Sequence, residues 1–321
     1  MLGIENPMAL FFAPRASRSH RSGALLALGV LLSACSASNG GTSSTGSGGS
    51  SSTTGPGATA SASSSSASGA GGTGGGIELG GFGSGTGGGG ASEPATDVQV
   101  VITADNAYSF GYGDSTGITH FTQGTRAQTS GEIFNCGEGP EAYLVPAADA
   151  PPSAYLYIVT WDDLEVTQGV LGQFVRVGGN PLYTGDPKFE VCATGIDLSQ
   201  STTGPSQTDI NTQIGICNAG SGDHSTTSGG WVNGAGAVTP GAVGSLAVGE
   251  ANDATPGGTF PPACVTGSGT PAGDPTIDAA SHWMWYQPGG IADPFESTGS
   301  NTFRAYLIFR VAAHDLPPPI K

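Results

Sequence analysis

The sequence predicts an all-β protein: an antiparallel β-sandwich or jelly-roll-like domain with one short helix and long glycine-rich loops. β-Branched and aromatic residues gather into short runs, which is typical of strands. Glycine and proline separate these runs: 32 of the 225 residues from Asp97 onward are glycine, roughly twice the ~7% typical of proteins. Frequent turns between short strands favour a sandwich over a helical or mixed fold.

The strands are predicted in chain order. Residues 98–103 are β-branched, and residues 154–161 are apolar on both faces, as expected for a central strand of a sandwich. Shorter strands are predicted at 174–177 and 189–192, and residues 118–122 are also strand-like. In residues 302–311 one face carries Phe303, Ala305, Leu307, Phe309 and Val311, and the other carries Arg304, Tyr306, Ile308 and Arg310.

One helix is predicted after Pro205. Ser206 and Asp209 have the spacing of an N-terminal cap, and Ile210, Ile214 and Cys217 then repeat at helical spacing. The glycine-rich region 218–275 carries only weak strand patterns, around Trp231 and residues 246–248. We expect that region to form loops over one end of the sandwich.

The N-terminal segment has the organisation of an export signal. Three arginines within residues 15–21 precede an apolar run that ends in Leu32-Ser33-Ala34-Cys35. The run is too short to cross a bilayer core of ~30 Å as a helix. The pattern resembles the lipobox of bacterial lipoproteins, over residues 15–36.

That resemblance implies a location. In bacterial lipoproteins the cysteine is acylated and the signal is removed before it, so Cys35 would carry the lipid and residues 1–34 would be the signal peptide. Serine at position 36, where aspartate would favour retention at the inner membrane, favours the outer membrane. The membrane is therefore an expected partner, through several acyl chains, with the domain on its periplasmic face or at the cell surface.

A linker is predicted between the lipid and the domain. Residues 36–96 are almost entirely Gly, Ser, Thr and Ala, so they lack the apolar surface needed to fold. A flexible coil of this length has a reach of roughly 45 Å. The predicted organisation is a signal peptide at 1–34, Cys35 with a disordered linker at 35–96, and a β-sandwich domain at 97–321.

Four cysteines remain in the domain: Cys136, Cys192, Cys217 and Cys264. An even number in an exported domain predicts two disulfides. Three pairings are open, of which we favour Cys136–Cys192 with Cys217–Cys264 because each joins neighbouring segments.

Charge excludes one class of partner. The formal net charge is −16, and an acidic surface repels nucleic-acid backbones, so nucleic-acid binding is not expected. Several aspartates in turns have side-chain oxygens that suit Ca²⁺ as a structural ion. The candidate ligands are Asp105, Asp162 and Asp163, with Asp114 and Asp186 as further donors.

Aromatic strands raise the hypothesis of a glycan-binding surface. In residues 282–286, Trp283 and Trp285 share one strand face, and Trp231 could extend the same platform beside Asp162 and Asp163. The alternative is that these tryptophans are core residues. If the tryptophans are core residues, the hypothesis is a purely structural role, with an envelope protein as partner.

A hydrolase is the remaining alternative. Gly113-Asp-Ser-Thr-Gly117 matches the G-x-S-x-G pattern and resembles the GDS block of GDSL-type esterases. That resemblance implies Ser115 as nucleophile, with His282 or His120 as base. The segment that follows is strand-like, whereas this chemistry uses a strand-to-helix turn, so a tight turn is the competing interpretation.

Two further resemblances concern fold alone. Thr103-Ala-Asp-Asn-Ala-Tyr108 is similar to the first turn of extracellular galactose-binding-type sandwiches, although the Asn-Gly that follows in that family is absent here. Residues 155–163, 282–286 and 301–310 resemble segments of exported bacterial β-sandwich proteins with no assigned activity. The sequence therefore predicts a tethered binding or structural module and no specific reaction.

Overall fold

The structure is a computed structural model that describes residues 95–267, 273–297 and 304–321. Within these residues two sheets contain thirteen strands between them, and every described strand pair is antiparallel. The predicted all-β class with two antiparallel sheets is therefore confirmed.

The first sheet runs in the order β11-β12-β6-β1-β4, with β7 also paired to β6. Its strands are β1 (Val98–Asp105), β4 (Glu141–Val145), β6 (Gly169–Arg176), β7 (Pro181–Tyr183), β11 (Ser245–Ala251) and β12 (His282–Gln287).

The second sheet runs in the order β10-β9-β8-β13-β5-β2-β3. Its strands are β2 (Ala107–Asp114), β3 (Gly117–Thr122), β5 (Tyr155–Trp161), β8 (Glu190–Asp197), β9 (Val232–Asn233), β10 (Gly236–Ala237) and β13 (Ala305–Ala312). The chain passes from the first sheet to the second within one residue, Asn106, which joins β1 to β2.

Strand β13 shows how the sequence specifies the layers. Leu307 and Phe309 are buried in the core between the sheets, while Tyr306 and Ile308 are buried in a second core on the outer face of the second sheet. The predicted alternation of this strand is thus confirmed for the residues that the structure describes, and both faces are covered.

Helix α2 (Gln207–Ala219) covers that outer face. The Ser206 hydroxyl accepts a hydrogen bond from the Asp209 amide at 3.2 Å, which confirms the predicted cap. Ile210 and Ile214 pack into the second core. Gly220 ends the helix with φ of 63°, a left-handed conformation that glycine adopts without steric cost. Within the described residues α2 is the only helix longer than one turn; α1 (Gly131–Phe134) is a single turn.

The disulfide pairing differs from the one we favoured. Cys136 pairs with Cys264, and Cys192 pairs with Cys217. The first disulfide joins the segment after α1 to the loop that precedes β12, and the second joins β8 to the last turn of α2. Proximity in the fold, rather than similarity of neighbouring sequence, decides which cysteines meet.

Several predictions lie outside the described residues. They are the signal peptide at 1–34, the lipid on Cys35, the linker as far as residue 94, and the β13 face position of Phe303. In the part of the chain that is described, no helix has the length and apolar character needed to cross a membrane.

Candidate functional site

A polar pocket lies at one edge of the sandwich, where β4 of the first sheet faces β2 and β3 of the second. Its volume is about 220 Å³. Strand residues and the loops after β3 and α1 form its walls, and the lining residues with polar side chains are Thr103, Asn106, Tyr108, Thr122, Gln123, Thr125, Glu132, Glu138, Glu141 and Tyr143.

Glu141 organises the pocket wall. The hydroxyls of Tyr108 and Tyr143 both donate to its Oε2, at 2.7 Å and 2.6 Å, and lie 3.1 Å from each other. Tyr143 follows Glu141 by two residues in β4, so their side chains share a strand face. Tyr108 comes from β2, which makes Glu141 a polar link between the two sheets.

Both tyrosines remain hydrogen-bond donors. Burial raises the pKa of Tyr108 well above its usual value, and the neighbouring Tyr143 and Glu141 raise it further. Burial also raises the pKa of Tyr143, as does its hydrogen bond to Glu141. Neither phenol loses its proton near neutral pH, so each supplies an O–H to Glu141 and keeps its own oxygen lone pairs for another group.

Glycine allows the pocket wall to approach the sheet. A Cβ on Gly124 would lie 1.5 Å from the carbonyl oxygen of Tyr108, and the Gly124 amide donates to the Ser109 hydroxyl at 2.9 Å. A Cβ on Gly139 would lie 2.5 Å from the carbonyl oxygen of Ile133. The loops after β3 and α1 can close over the pocket only because these positions lack side chains.

The pocket is acidic. Glu132, Glu138 and Glu141 line it, and none of the lining residues that the structure describes is a lysine or arginine. The carbonyl-type oxygen of Asn106, Oδ1, is buried and has no hydrogen-bond partner within the described structure. The site thus offers hydrogen-bond acceptors and negative charge, and it disfavours anionic ligands.

A second acidic cluster lies at the β1–β2 corner. Asp105 at the end of β1 and Asp162 after β5 are both buried, and Asp163 is beside them. Burial raises the pKa of Asp105 to about 6 and that of Asp162 to about 7, and the charge of Asp163 contributes to both shifts. Asp105, Asp162 and Asp163, predicted as calcium ligands, lie near one another at this corner, but among the described residues no three acidic, histidine or cysteine side chains are placed to hold a metal ion. Asp114 and Asp186 lie elsewhere, each capping a turn.

The three candidate tryptophans are interior. Trp231, Trp283 and Trp285 are each 1% exposed. Trp283 stacks on Phe260 with ring centres 4.1 Å apart, and Trp231 packs beneath the Arg310 guanidinium. Their faces are covered by the protein itself, so they do not form an exposed platform for a sugar.

Ser115 occupies a hairpin turn. It lies between β2 and β3, with Asp114 Oδ1 accepting the Thr116 amide at 2.7 Å. His120 stacks on Tyr112, and His282 Nδ1 lies 2.9 Å from the Gly249 carbonyl. Among the described hydrogen bonds none joins Ser115 to a histidine, so the strand-to-helix turn and the nucleophile–base pair that an esterase requires are not found there.

No protein-family model, curated protein or solved structure matches this chain. The fold defines the class, an antiparallel β-sandwich with a polar acidic pocket at one edge.

The sequence identified only part of this pocket. Tyr108 belongs to a turn motif that the sequence singles out, whereas the strands predicted from the sequence do not include the one that carries Glu141 and Tyr143. Their alternation in Glu141-Ala-Tyr-Leu-Val145 is a strand pattern. It was the one local signal that could have found them.

Proposed function

We propose that this protein is an exported, lipid-anchored binding protein whose β-sandwich holds a single sugar unit of a glycan in the pocket around Glu141. The observation that carries the proposal is the pocket itself, in which hydroxyl, amide and carboxylate groups converge beside two tyrosine rings. Sugars are bound in proteins by such polar side chains beside aromatic rings.

The size and charge of the pocket limit the class of ligand that it can bind. The pocket volume of about 220 Å³ is smaller than the ~300–1,000 Å³ typical of sites for drug-sized ligands, which suits one ring rather than a large cofactor. Three glutamates without a lysine or arginine in the lining favour neutral sugars or amino sugars over uronic acids and phosphorylated sugars.

The N-terminal sequence supports a lipid anchor. The lipobox ending at Cys35 and the glycine-rich segment that follows support a domain tethered to a bacterial outer membrane, with a reach of roughly 45 Å. A glycan of the cell envelope is then a ligand within reach of the domain.

The ligand is tested on a glycan array. Full-length protein is compared with Glu141→Gln, which keeps the shape of the side chain but removes its charge, and with Glu296→Gln, an exposed glutamate outside the pocket lining. We expect binding to neutral or amino-sugar glycans that Glu141→Gln reduces and Glu296→Gln retains. Absence of binding to any glycan would refute the sugar proposal; capture of an envelope protein by crosslinking on intact cells would then favour the structural role.

The anchor is tested separately. Cells expressing the protein or its Cys35→Ser variant are labelled with a radioactive fatty acid and fractionated. The wild-type protein is expected to carry label and to sediment with outer membranes, while the variant carries none. Unlabelled wild-type protein would contradict the anchor without affecting the sugar site.

A further inference from the structure

A second cavity lies at the end of the sandwich where β1 begins and where β4, β6 and β13 end. Its volume is about 610 Å³, within the ~300–1,000 Å³ typical of sites for small organic ligands. Alanine, proline and leucine form most of its lining, and the lining residues with polar side chains are Thr96, Arg176 and His314. The cavity shares no lining residue with the pocket around Glu141.

Arg176, the last residue of β6, places a buried cation in this lining. The residue is only 9% exposed. Its guanidinium donates to the backbone carbonyl oxygens of Thr96, Ala150 and Ala313, at 3.4, 3.2 and 2.8 Å. A guanidinium has five N–H groups, and these bonds use three of them. The other two have no acceptor in the part of the chain that the structure describes.

No carboxylate of the described structure neutralises the charge of Arg176. The ion pairs found there are formed by Arg304, Arg310 and His314. None of the described lining residues of the cavity is an aspartate or a glutamate. Burial lowers the pKa of Arg176, but a guanidinium still keeps its proton at neutral pH. A buried charge is costly unless it is paired, so the cavity favours an anion beside Arg176.

A buried hydroxyl in the same lining also lacks a partner. Thr96 Oγ1 makes no hydrogen bond within the described residues, and the carbonyl of the same residue accepts a hydrogen bond from Arg176. Buried polar groups in proteins are nearly always hydrogen-bonded, so this hydroxyl needs an acceptor. A carboxylate placed on Arg176 would supply one close by.

We propose that this cavity binds a small monocarboxylic acid with an apolar body, with the carboxylate on Arg176 and the body against the alanine and proline walls. A planar guanidinium pairs well with a planar carboxylate. One negative charge is favoured over two because the lining contains one arginine and the protein has a formal net charge of −16. The apolar walls favour a hydrocarbon body and offer few donors to the further oxygens of a phosphate. The site is independent of the proposed sugar pocket.

The ligand class is tested by calorimetric titration of full-length protein with sodium hexanoate, hexanamide and hexyl phosphate. The three share a hydrocarbon chain and differ in the charge of the head group. We expect saturable binding of hexanoate and at least about tenfold weaker binding of hexanamide, since hydrogen bonds to charged groups are the stronger ones. Hexyl phosphate should bind more weakly than hexanoate. Absence of hexanoate binding, equal affinity for hexanoate and hexanamide, or tighter binding of hexyl phosphate would overturn the proposal.

Variants locate the site. Ala148 is an exposed residue of the lining, so Ala148→Phe adds a ring to the cavity and leaves the hydrogen bonds of Arg176 in place. It should abolish hexanoate binding at a wild-type melting temperature. The matched control is Ala254→Phe, at an exposed alanine outside the lining, which should bind hexanoate as wild type does.

Arg176→Lys is the second variant, because lysine keeps the charge but not the planar group. It should also lose hexanoate binding. Since Arg176 holds three backbone carbonyls, its circular dichroism is compared with that of wild type first, and if the variant is unfolded the Ala148→Phe and Ala254→Phe pair decides. Hexanoate binding of wild-type strength in Ala148→Phe or in folded Arg176→Lys would show that the acid does not bind in this cavity.

Discussion

Tyr108 and Tyr143, on strands of opposite sheets, donate their hydroxyls to the same oxygen of Glu141, and their own oxygens lie 3.1 Å apart. The edge of the sandwich is therefore held together by a polar network rather than by apolar packing alone. Because one carboxylate oxygen serves both phenols, the loss of either hydroxyl changes the environment of the other.

The network should contribute measurably to stability. Tyr143→Phe removes one donor to Glu141 and should lower the free energy of unfolding by about 1.5–3 kcal/mol, as expected for a hydrogen bond to a charged group. Tyr112→Phe is the control, since Tyr112 lies outside the pocket lining. Urea unfolding of both variants gives the comparison, and equal stability of the two would show that the network contributes nothing.

Gly124 should tolerate no side chain. Gly124→Ala places a Cβ 1.5 Å from the Tyr108 carbonyl oxygen, a backbone atom that cannot move aside without shifting β2. We expect a loss of several degrees in melting temperature together with weaker glycan binding. Gly215→Ala, in a helix with open space around the new Cβ, should be neutral or stabilising. A wild-type melting temperature for Gly124→Ala would mean that the loop after β3 does not pack as described.

Arg310 links the second core to α2. Its guanidinium lies 3.7 Å from the centre of the Trp231 ring and donates to Glu190 Oε2 at 2.7 Å and to Asn218 Oδ1 at 3.0 Å. Arg310→Lys keeps the charge but loses the planar stack and two of the donors, so we expect a loss of about 2 kcal/mol.

Arg304→Lys is the matched control for that variant. Arg304 and Asp197 are more than half exposed and 3.9 Å apart, so the expected change is under ~0.5 kcal/mol. Denaturant unfolding gives the free energy of unfolding of both variants. An equal loss of that free energy at the two positions would contradict a stabilising role for the buried Arg310 contacts.

The two disulfides should differ in their effect on stability. Cys136–Cys264 spans 128 residues and Cys192–Cys217 spans 25. Loop-closure entropy predicts stabilisation of about 5 kcal/mol for the first and about 3.5 kcal/mol for the second. Thermal unfolding of the two double-alanine variants should therefore show the larger loss without Cys136 and Cys264. The reverse order would indicate that residual structure or local strain outweighs chain entropy.

Stability should fall as pH rises from about 4 to about 7 in metal-free protein. Burial raises the pKa of Asp105 to about 6 and of Asp162 to about 7, so the folded state holds protons that the unfolded state, titrating near 3.8, has already released. The unfolding free energy therefore decreases across that window.

The corresponding measurement is a melting temperature at pH 5 and pH 7.5 in EDTA. We expect a fall of several degrees between the two, and a smaller fall in Asp162→Asn, whose neutral amide needs no proton. A melting temperature that rises with pH would contradict the buried placement of these carboxylates.

Local sequence patterns predict strands and the helix start, but they do not predict which other segments pack over each strand face. The alternation in β13 and the Ser206 cap are properties of a few adjacent residues, and the fold matches both. The pattern around Trp283 predicts a strand with two different faces. The loop that carries Phe260 covers the Trp283 ring. Residues far apart in the sequence determine that contact, so the local pattern does not predict it. The same limit applies to the disulfides, because Cys136 meets Cys264 across 128 residues.

The pocket illustrates that limit in another way. Glu141 appears as one polar residue among many until β1 pairs with β4 and the sandwich sets Tyr108 of β2 opposite it. Asp105 and Asp162 were both recognised as oxygen donors, yet only the pairing of β2 with β5 makes them neighbours. Sequence supplied the residue types, while the long-range strand order determined which of them meet.

The most direct test of the account is calorimetric titration of full-length protein with the best glycan from the array. We predict saturable binding to a neutral or amino-sugar glycan, at least about tenfold weaker for Glu141→Gln, since a charged hydrogen bond is typically worth ~1.5–3 kcal/mol. Binding of equal strength in wild type and Glu141→Gln, with both proteins folded, would contradict the assignment of this pocket as the ligand site.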